Sequence, residues 1–155
     1  MQIVSDASPL IILKKSEAIQ LLEKQFTEVL LTKKIMDELF IKERAFFEGT
    51  KYLKIVEVTN HDLVSVLSLI VDEGEAGVIA LALERNFVLL IDDLKGRRLA
   101  DNLGINYIGT LGILKVAKNN GLIREVRPIL DKFLENGYHL DTGLIEKYLE
   151  ELGEL

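Results

Sequence analysis

There is no cysteine in the 155 residues. That excludes disulfides, thiol catalysis and thiolate-bound zinc, and makes a cytoplasmic protein the expectation. Histidine is scarce too: His61 and His139 stand far from every motif below and read as surface residues. No stretch approaches the roughly 18 consecutive apolar residues of a membrane helix, so no membrane is expected among the partners. Nor does a signal-peptide pattern open the chain, because Ser5 and Asp6 interrupt the first apolar run. Basic residues are outnumbered, 19 Lys and Arg against 25 Asp and Glu, for a net charge of −6. Taken alone, that argues against a nucleic-acid binder held by a basic surface. It leaves open a site that gathers carboxylates around a divalent metal, whose charge offsets theirs. No repeat, low-complexity tract or linker is evident, and the length suits one domain over residues 1–155.

What is present is apolar and patterned. With 48% apolar and 28% charged residues, the chain belongs to folded globular proteins. Ile3-Val4-Ser5 reads as a short buried strand that delivers Asp6 to its end. A helix follows at once, with Ser8 as N-cap and Pro9 at its first position. The helical pattern runs from Leu10 to about Phe26, with a break near Ser16. Glu28–Leu31 reads as a second strand, and Thr32 caps a helix turning Ile35, Leu39, Ile41 and Phe46 inward. Leu53–Val58 alternates as an edge strand. Asn60 starts a helix through Val71 carrying Leu63, Leu67 and Ile70 on one side, and Asp72-Glu73-Gly74 breaks it. Glu75 opens a very apolar helix to Arg85. Phe87–Ile91 is apolar on both faces, the mark of a central parallel strand, and ends in Asp92-Asp93. A basic-faced helix (94–103), a last strand (105–108), a helix capped by Thr110 and two more helices (124–136 and 141–152) complete the chain. The last carries one apolar stripe, Leu144, Ile145, Tyr148, Leu149 and Leu152, suited to core or a homodimer contact. Strands alternating with helices predict an α/β three-layer sandwich around a parallel sheet of about five strands.

In such a sheet the ends of parallel strands share one edge, where ligands gather. Asp6 and Asp93 end strands there, and Glu38 and Glu75 sit early in helices that start there. Four carboxylates from four parts of the chain thus converge. Like charges so close cannot all stay ionised unless neutralised, and oxygen-only ligands select Mg²⁺ or Mn²⁺. A metal so held activates water and stabilises in-line displacement at phosphate. Each acid also has a plainer role open to it. Asp6 and one of Asp92 and Asp93 suit helix caps, Glu38 a solvated helix face, and Glu75 the N-terminus of its helix.

The run Val4-Ser5-Asp6-Ala7-Ser8-Pro9-Leu10-Ile11 resembles the opening of PIN (PilT N-terminus) domains, the nuclease family that includes VapC toxins. Ile35-Met36-Asp37-Glu38-Leu39 is similar to that family's second acidic motif. Glu75 with Val78-Ile79-Ala80-Leu81-Ala82 resembles the third, and Asp93 suits the fourth. The Asp92–Arg98 run and Ile108–Leu114 look like a prokaryotic PIN-like subgroup. Two positions depart from the pattern: the third acid is Glu where Asp is frequent, and Ile91 stands where many members carry Thr or Ser. Asp92 is a candidate to share the fourth role.

The resemblance implies a PIN-like fold and an Mg²⁺- or Mn²⁺-dependent endoribonuclease, with the toxin half of a toxin–antitoxin pair as one setting. It implies Asp6, Glu38, Glu75 and Asp93 as metal-binding catalytic acids, and RNA and an antitoxin protein as partners. Ser8 would orient the Asp6 carboxylate or a metal-bound water, and Thr110 supports the same edge. Lys95, Arg97 and Arg98 either contact phosphate or form a solvated helix face. The alternative function is a PIN-fold module that binds RNA or protein and cuts weakly. A phospho-acceptor signalling domain fits less well, because it needs an acidic pair after the first strand and a Lys after the last, where this chain has Thr110.

Overall fold

Five short strands run parallel in one sheet, in the order β3-β2-β1-β4-β5. They are β1 (Gln2–Ser5), β2 (Glu28–Leu31), β3 (Leu53–Ile55), β4 (Val88–Leu90) and β5 (Tyr107–Ile108). The coordinates, a computed structural model, describe residues 1–155. Nine helices flank the sheet: α1 (Ala7–Lys15), α2 (Gln20–Gln25), α3 (Lys33–Phe47), α4 (His61–Leu67), α5 (Glu73–Arg85), α6 (Leu94–Asn102), α7 (Thr110–Asn119), α8 (Arg127–Glu135) and α9 (Thr142–Glu151). This is the expected α/β architecture, with β3 at an edge and β4 next to the centre.

The order of the strands positions the site. From central β1 the chain works outward to β2 and β3, then crosses back to β4 and outward to β5. The reversal lies between β1 and β4, where a crevice opens beyond the strand ends. Ser5 pairs with Leu90 in the register, and the Asp6 amide donates to the Leu90 carbonyl at 3.0 Å. Asp6 is thereby held against the end of β4. The three central strands are buried on both faces by Ile3, Val4, Val29, Leu30, Leu89 and Leu90, as parallel strands covered by helices must be. Helix α5 packs on β1 and β4. Its buried Gly77 lets Thr32 approach, with space for a Cβ only at 3.5 Å from Thr32 Cγ2.

Several boundaries differ from the sequence expectation for local reasons. Helix α1 starts at Ala7 with Asp6 as N-cap, so Ser8 and Pro9 are its second and third residues. Proline is tolerated there because no first-turn N–H has an intrahelical partner. Thr110 is the first residue of α7, and Gly109 takes the cap position. Glu73 and Gly74 belong to α5, whose N-cap is Asp72. Helix α4 stops at Leu67, leaving Ile70 exposed beyond it. β3 and β5 are shorter than the alternating runs that suggested them, and α8 and α9 are each trimmed at both ends. In α9 only Leu149 is fully covered, and Leu144 is exposed.

The inward face of α3 also needs correction. Ile41 is 81% exposed, because two residues beyond inward-facing Leu39 lies the opposite side of a helix. Glu43 then leaves helical conformation (φ −147°, ψ 46°). After that kink Phe47 is buried, with Phe46 edge-on to it at 5.1 Å on the partly exposed side. Phe47→Ala is expected to cost about 3–5 kcal/mol and Ile41→Ala less than about 0.5 kcal/mol. Urea unfolding of the two variants checks this.

Candidate functional site

Asp6 is the most buried acid of the edge, at 7% exposure. Its carboxylate makes no capping hydrogen bond, and its pKa is pushed up to about 6. Burial is the main cause, opposed by the nearby Ala7 amide and reinforced by the charges of Asp72, Glu38 and Asp93. Glu75, third residue of α5, is raised to about 7 by burial first, then by Asp72, Asp93 and Asp6. Glu38, on the second turn of α3, is raised by burial and by Asp72, with Lys34 opposing. Asp6 thus feels the charges of Glu38 and Asp93, and Glu75 those of Asp6 and Asp93, at the strand switch point.

A fifth carboxylate joins them. Asp72 acts on Asp6, Glu38 and Glu75 alike. Sequence reasoning gave it to a chain break, although Asp72-x-x-Glu75 has the spacing of a capping box. Its Oδ1 does accept the Glu75 amide, at 2.8 Å. Being a cap at that edge is what aims it at the cluster.

Gly74 shows how tightly the acids are set. A Cβ there would stand 2.8 Å from Glu38 Oε1 and 3.2 Å from Ile35 Cδ1. Gly74→Ala is expected to leave stability within about 1 kcal/mol, since alanine's helix preference offsets the crowding. It displaces the Glu38 carboxylate, however. Thermal melts beside the carboxyl chemical shift of Glu38 in the same variant separate the two effects.

Asp92 and Asp93 part company. Asp93 caps α6, its Oδ2 accepting the Gly96 amide at 2.8 Å, and its charge reaches Asp6 and Glu75. Asp92 instead engages Thr110, accepting from its amide at 2.8 Å and its hydroxyl at 2.5 Å. Both of its oxygens are therefore already engaged. Fully buried Thr110 is a partner of Asp92 and touches none of the five acids. Arg97 turns back, donating from Nε to the Ile91 carbonyl at 3.0 Å with Nη2 3.5 Å from Asp92. Only Lys95 and Arg98 of the basic run are exposed and unpaired. Ser8 is exposed and makes no side-chain hydrogen bond, so nothing ties its hydroxyl to Asp6.

Beside the cluster lies a groove of about 750 Å³, lined by Asp92, Arg97, Tyr107, Lys115, Tyr138 and Lys147 among others. A smaller hollow of about 240 Å³, lined by Ser8, Lys15 and Asn136, meets it at Asp92 and Tyr138. Sequence reasoning assigned Tyr138 nothing. Burial and the Asp92 charge raise its pKa above the usual tyrosine value.

The five acids supply only oxygen donors, a set that suits a hard divalent cation in chemistry. As the side chains stand, no three acids are gathered closely enough to ligate one ion.

A parallel α/β sheet with acids at its switch point is the class of protein the resemblance to PIN domains implied. A family model described as a PIN domain, DUF3368, matches residues 2–154, and the chain belongs to that family. The fold is accordingly of nuclease type. No curated protein matches the chain. No helix is long and apolar enough to cross a membrane.

Proposed function

We propose that this protein is a ribonuclease dependent on Mg²⁺ or Mn²⁺, cutting RNA phosphodiester bonds at the edge formed by Asp6, Glu38, Glu75 and Asp93. The observation that carries the proposal is the uncompensated charge there. Burial first, and then the charges of neighbouring acids, raise the pKa of Asp6 and Glu75 at the crevice, and burial with Asp72 raises that of Glu38. A divalent cation bound among them would supply an activated water and offset charge developing at phosphate. Asp6 is the fixed member, held by burial. Asp93 keeps one oxygen free, since only Oδ2 caps α6. Asp72 adds charge to the same site while holding the first turn of α5. Exposed Lys95 and Arg98, just beyond Asp93, are placed to take the flanking phosphates.

Cleavage of a labelled single-stranded RNA in Mn²⁺ or Mg²⁺, stopped by chelator, is the expected result. A second reading, a weakly cutting module that binds RNA or protein, is favoured by the spacing of the acids, which leaves no three together. RNA retention on a filter without cleavage in either metal would replace the first reading by the second. The antitoxin partner belongs to the proposal through the family resemblance, and co-purification with a protein that suppresses cleavage tests it.

A further inference from the structure

The acids at 92 and 93 are adjacent in sequence but serve different elements. Residue 93 is extended (φ −61°, ψ 129°), and successive side chains of extended backbone point to opposite sides. If one carboxylate faces α7, its neighbour faces the crevice. The contacts that fix Asp92 are unusually complete. Both oxygens are engaged by Thr110, through the amide and the hydroxyl. Arg97 Nη2 approaches Oδ1 at 3.5 Å while Nε holds the Ile91 carbonyl, and the guanidinium lies 5.4 Å from the Tyr107 ring centre. The Tyr138 hydroxyl lies on the same carboxylate from the α8–α9 side. Gly109 is required by this arrangement, because a Cβ there would lie 2.8 Å from Asp92 Oδ1 and inside the Arg97 guanidinium. The Ile91 amide is held in turn by the Ile108 carbonyl at 3.0 Å.

We propose that Asp92 is a positioning residue whose bonds to Thr110 pin the end of β4 to the start of α7 and thereby aim Asp93 at Asp6 and Glu75. The inference rests on Asp93 being one of the acids that gather the divalent cation. Asp92 itself does not bind the cation. A carboxylate suits the role because both oxygens accept, one from the Thr110 amide and one from its hydroxyl, whereas asparagine keeps both contacts only if the hydroxyl turns from donor to acceptor and the charge that strengthens them is lost.

The test uses the full chain and the variants Asp92→Asn, Thr110→Val and Thr110→Ser, with Mn²⁺ alone as probe. Mn²⁺ affinity by calorimetry and amide exchange at Gly96 and Arg97 are read beside the melting temperature. Asp92→Asn is expected to weaken Mn²⁺ binding roughly tenfold or more, as loss of a group that orients a ligand does, and to speed exchange at Gly96. Thr110→Val should do both to a lesser degree, and Thr110→Ser, which keeps hydroxyl and amide, should behave as wild type. Unchanged Mn²⁺ affinity in folded Asp92→Asn, with only a lower melting temperature, would overturn the proposal. So would Thr110→Val matching Thr110→Ser at the wild-type affinity and exchange rate, since the hydroxyl would then not matter. If the wild type itself takes no Mn²⁺, the cation reading is what fails. The tether is then judged by exchange alone: faster exchange at Gly96 in Asp92→Asn, restored in Thr110→Ser, supports it, and no change refutes it.

Discussion

Asp6→Asn is expected to reduce metal-dependent cleavage on the order of 10²–10³-fold, the range for losing one group that stabilises developing charge, while the protein stays folded. The substitution is nearly isosteric, and the Asp6 side chain makes no capping hydrogen bond that it would break. No packing is lost from the 7% exposed position. What disappears is the one charge of the cluster that burial holds fixed, so no rotation of Glu38, Glu75 or Asp93 restores it. Without metal the variant should be at least as stable as wild type at pH 8, because a buried charge with only acids around it has been removed. Cleavage rates at saturating Mn²⁺, with melting curves taken in chelator, check both halves. Equal cutting by both proteins would trace the activity to a contaminant. A collapsed melting curve would instead make Asp6 a structural acid.

Much of this was legible because its determinants are local. Strand and helix identities followed from period and from caps such as Thr32 and Asn60, both of which accept the amides expected of them. Asp6, Glu38, Glu75 and Asp93 could be assigned to one edge because strand ends and following helix starts share an edge in any parallel sheet. What escaped depends on atoms far apart in the chain or on a single backbone torsion. Nothing near Glu43 announces the kink that buries Phe47. The division of labour between Asp92 and Asp93 is settled by Thr110, eighteen residues on. Glu154 accepts the Val126 and Arg127 amides and Lys118 Nζ, fixing the approach to α8 from the far end of the chain. Those bonds lower its pKa although burial works against them. Asp72 read as part of a break, and only the fold shows one carboxylate both capping a helix and charging its neighbours.

In chelator, the protein is expected to lose stability as pH rises from about 4 to about 7, the reverse of ordinary acid unfolding. Asp6 moves from 3.8 unfolded to about 6 folded, and Glu75 from 4.5 to about 7. A raised acid pKa means that the folded state holds its proton after the unfolded chain has released it. The folded state therefore binds more protons across this window, and stability falls with pH until both groups are ionised in both states. The Asp6 shift alone corresponds to about 3 kcal/mol. Glu75 adds less than its shift implies, because it is partly exposed and water screens it. Glu17 and Glu154, whose folded pKa values are lowered, work in the opposite sense, but their contribution is lost only as pH falls below about 4.5. Asp6→Asn should therefore flatten much of the slope between about pH 4 and 6, leaving the Glu75 part up to about 7. Mn²⁺ should do so in wild type, because a ligand of the ionised acids stabilises by about 2.7 kcal/mol at a hundred times its Kd. Urea midpoints at pH 4.5, 6 and 8, in chelator and in Mn²⁺, separate the possibilities. A slope unchanged by both the variant and the metal would mean that the five acids do not share their charge. A slope removed by the variant but not by Mn²⁺ would leave a buried acidic cluster with no cation to neutralise it, and would favour the binding module over the nuclease.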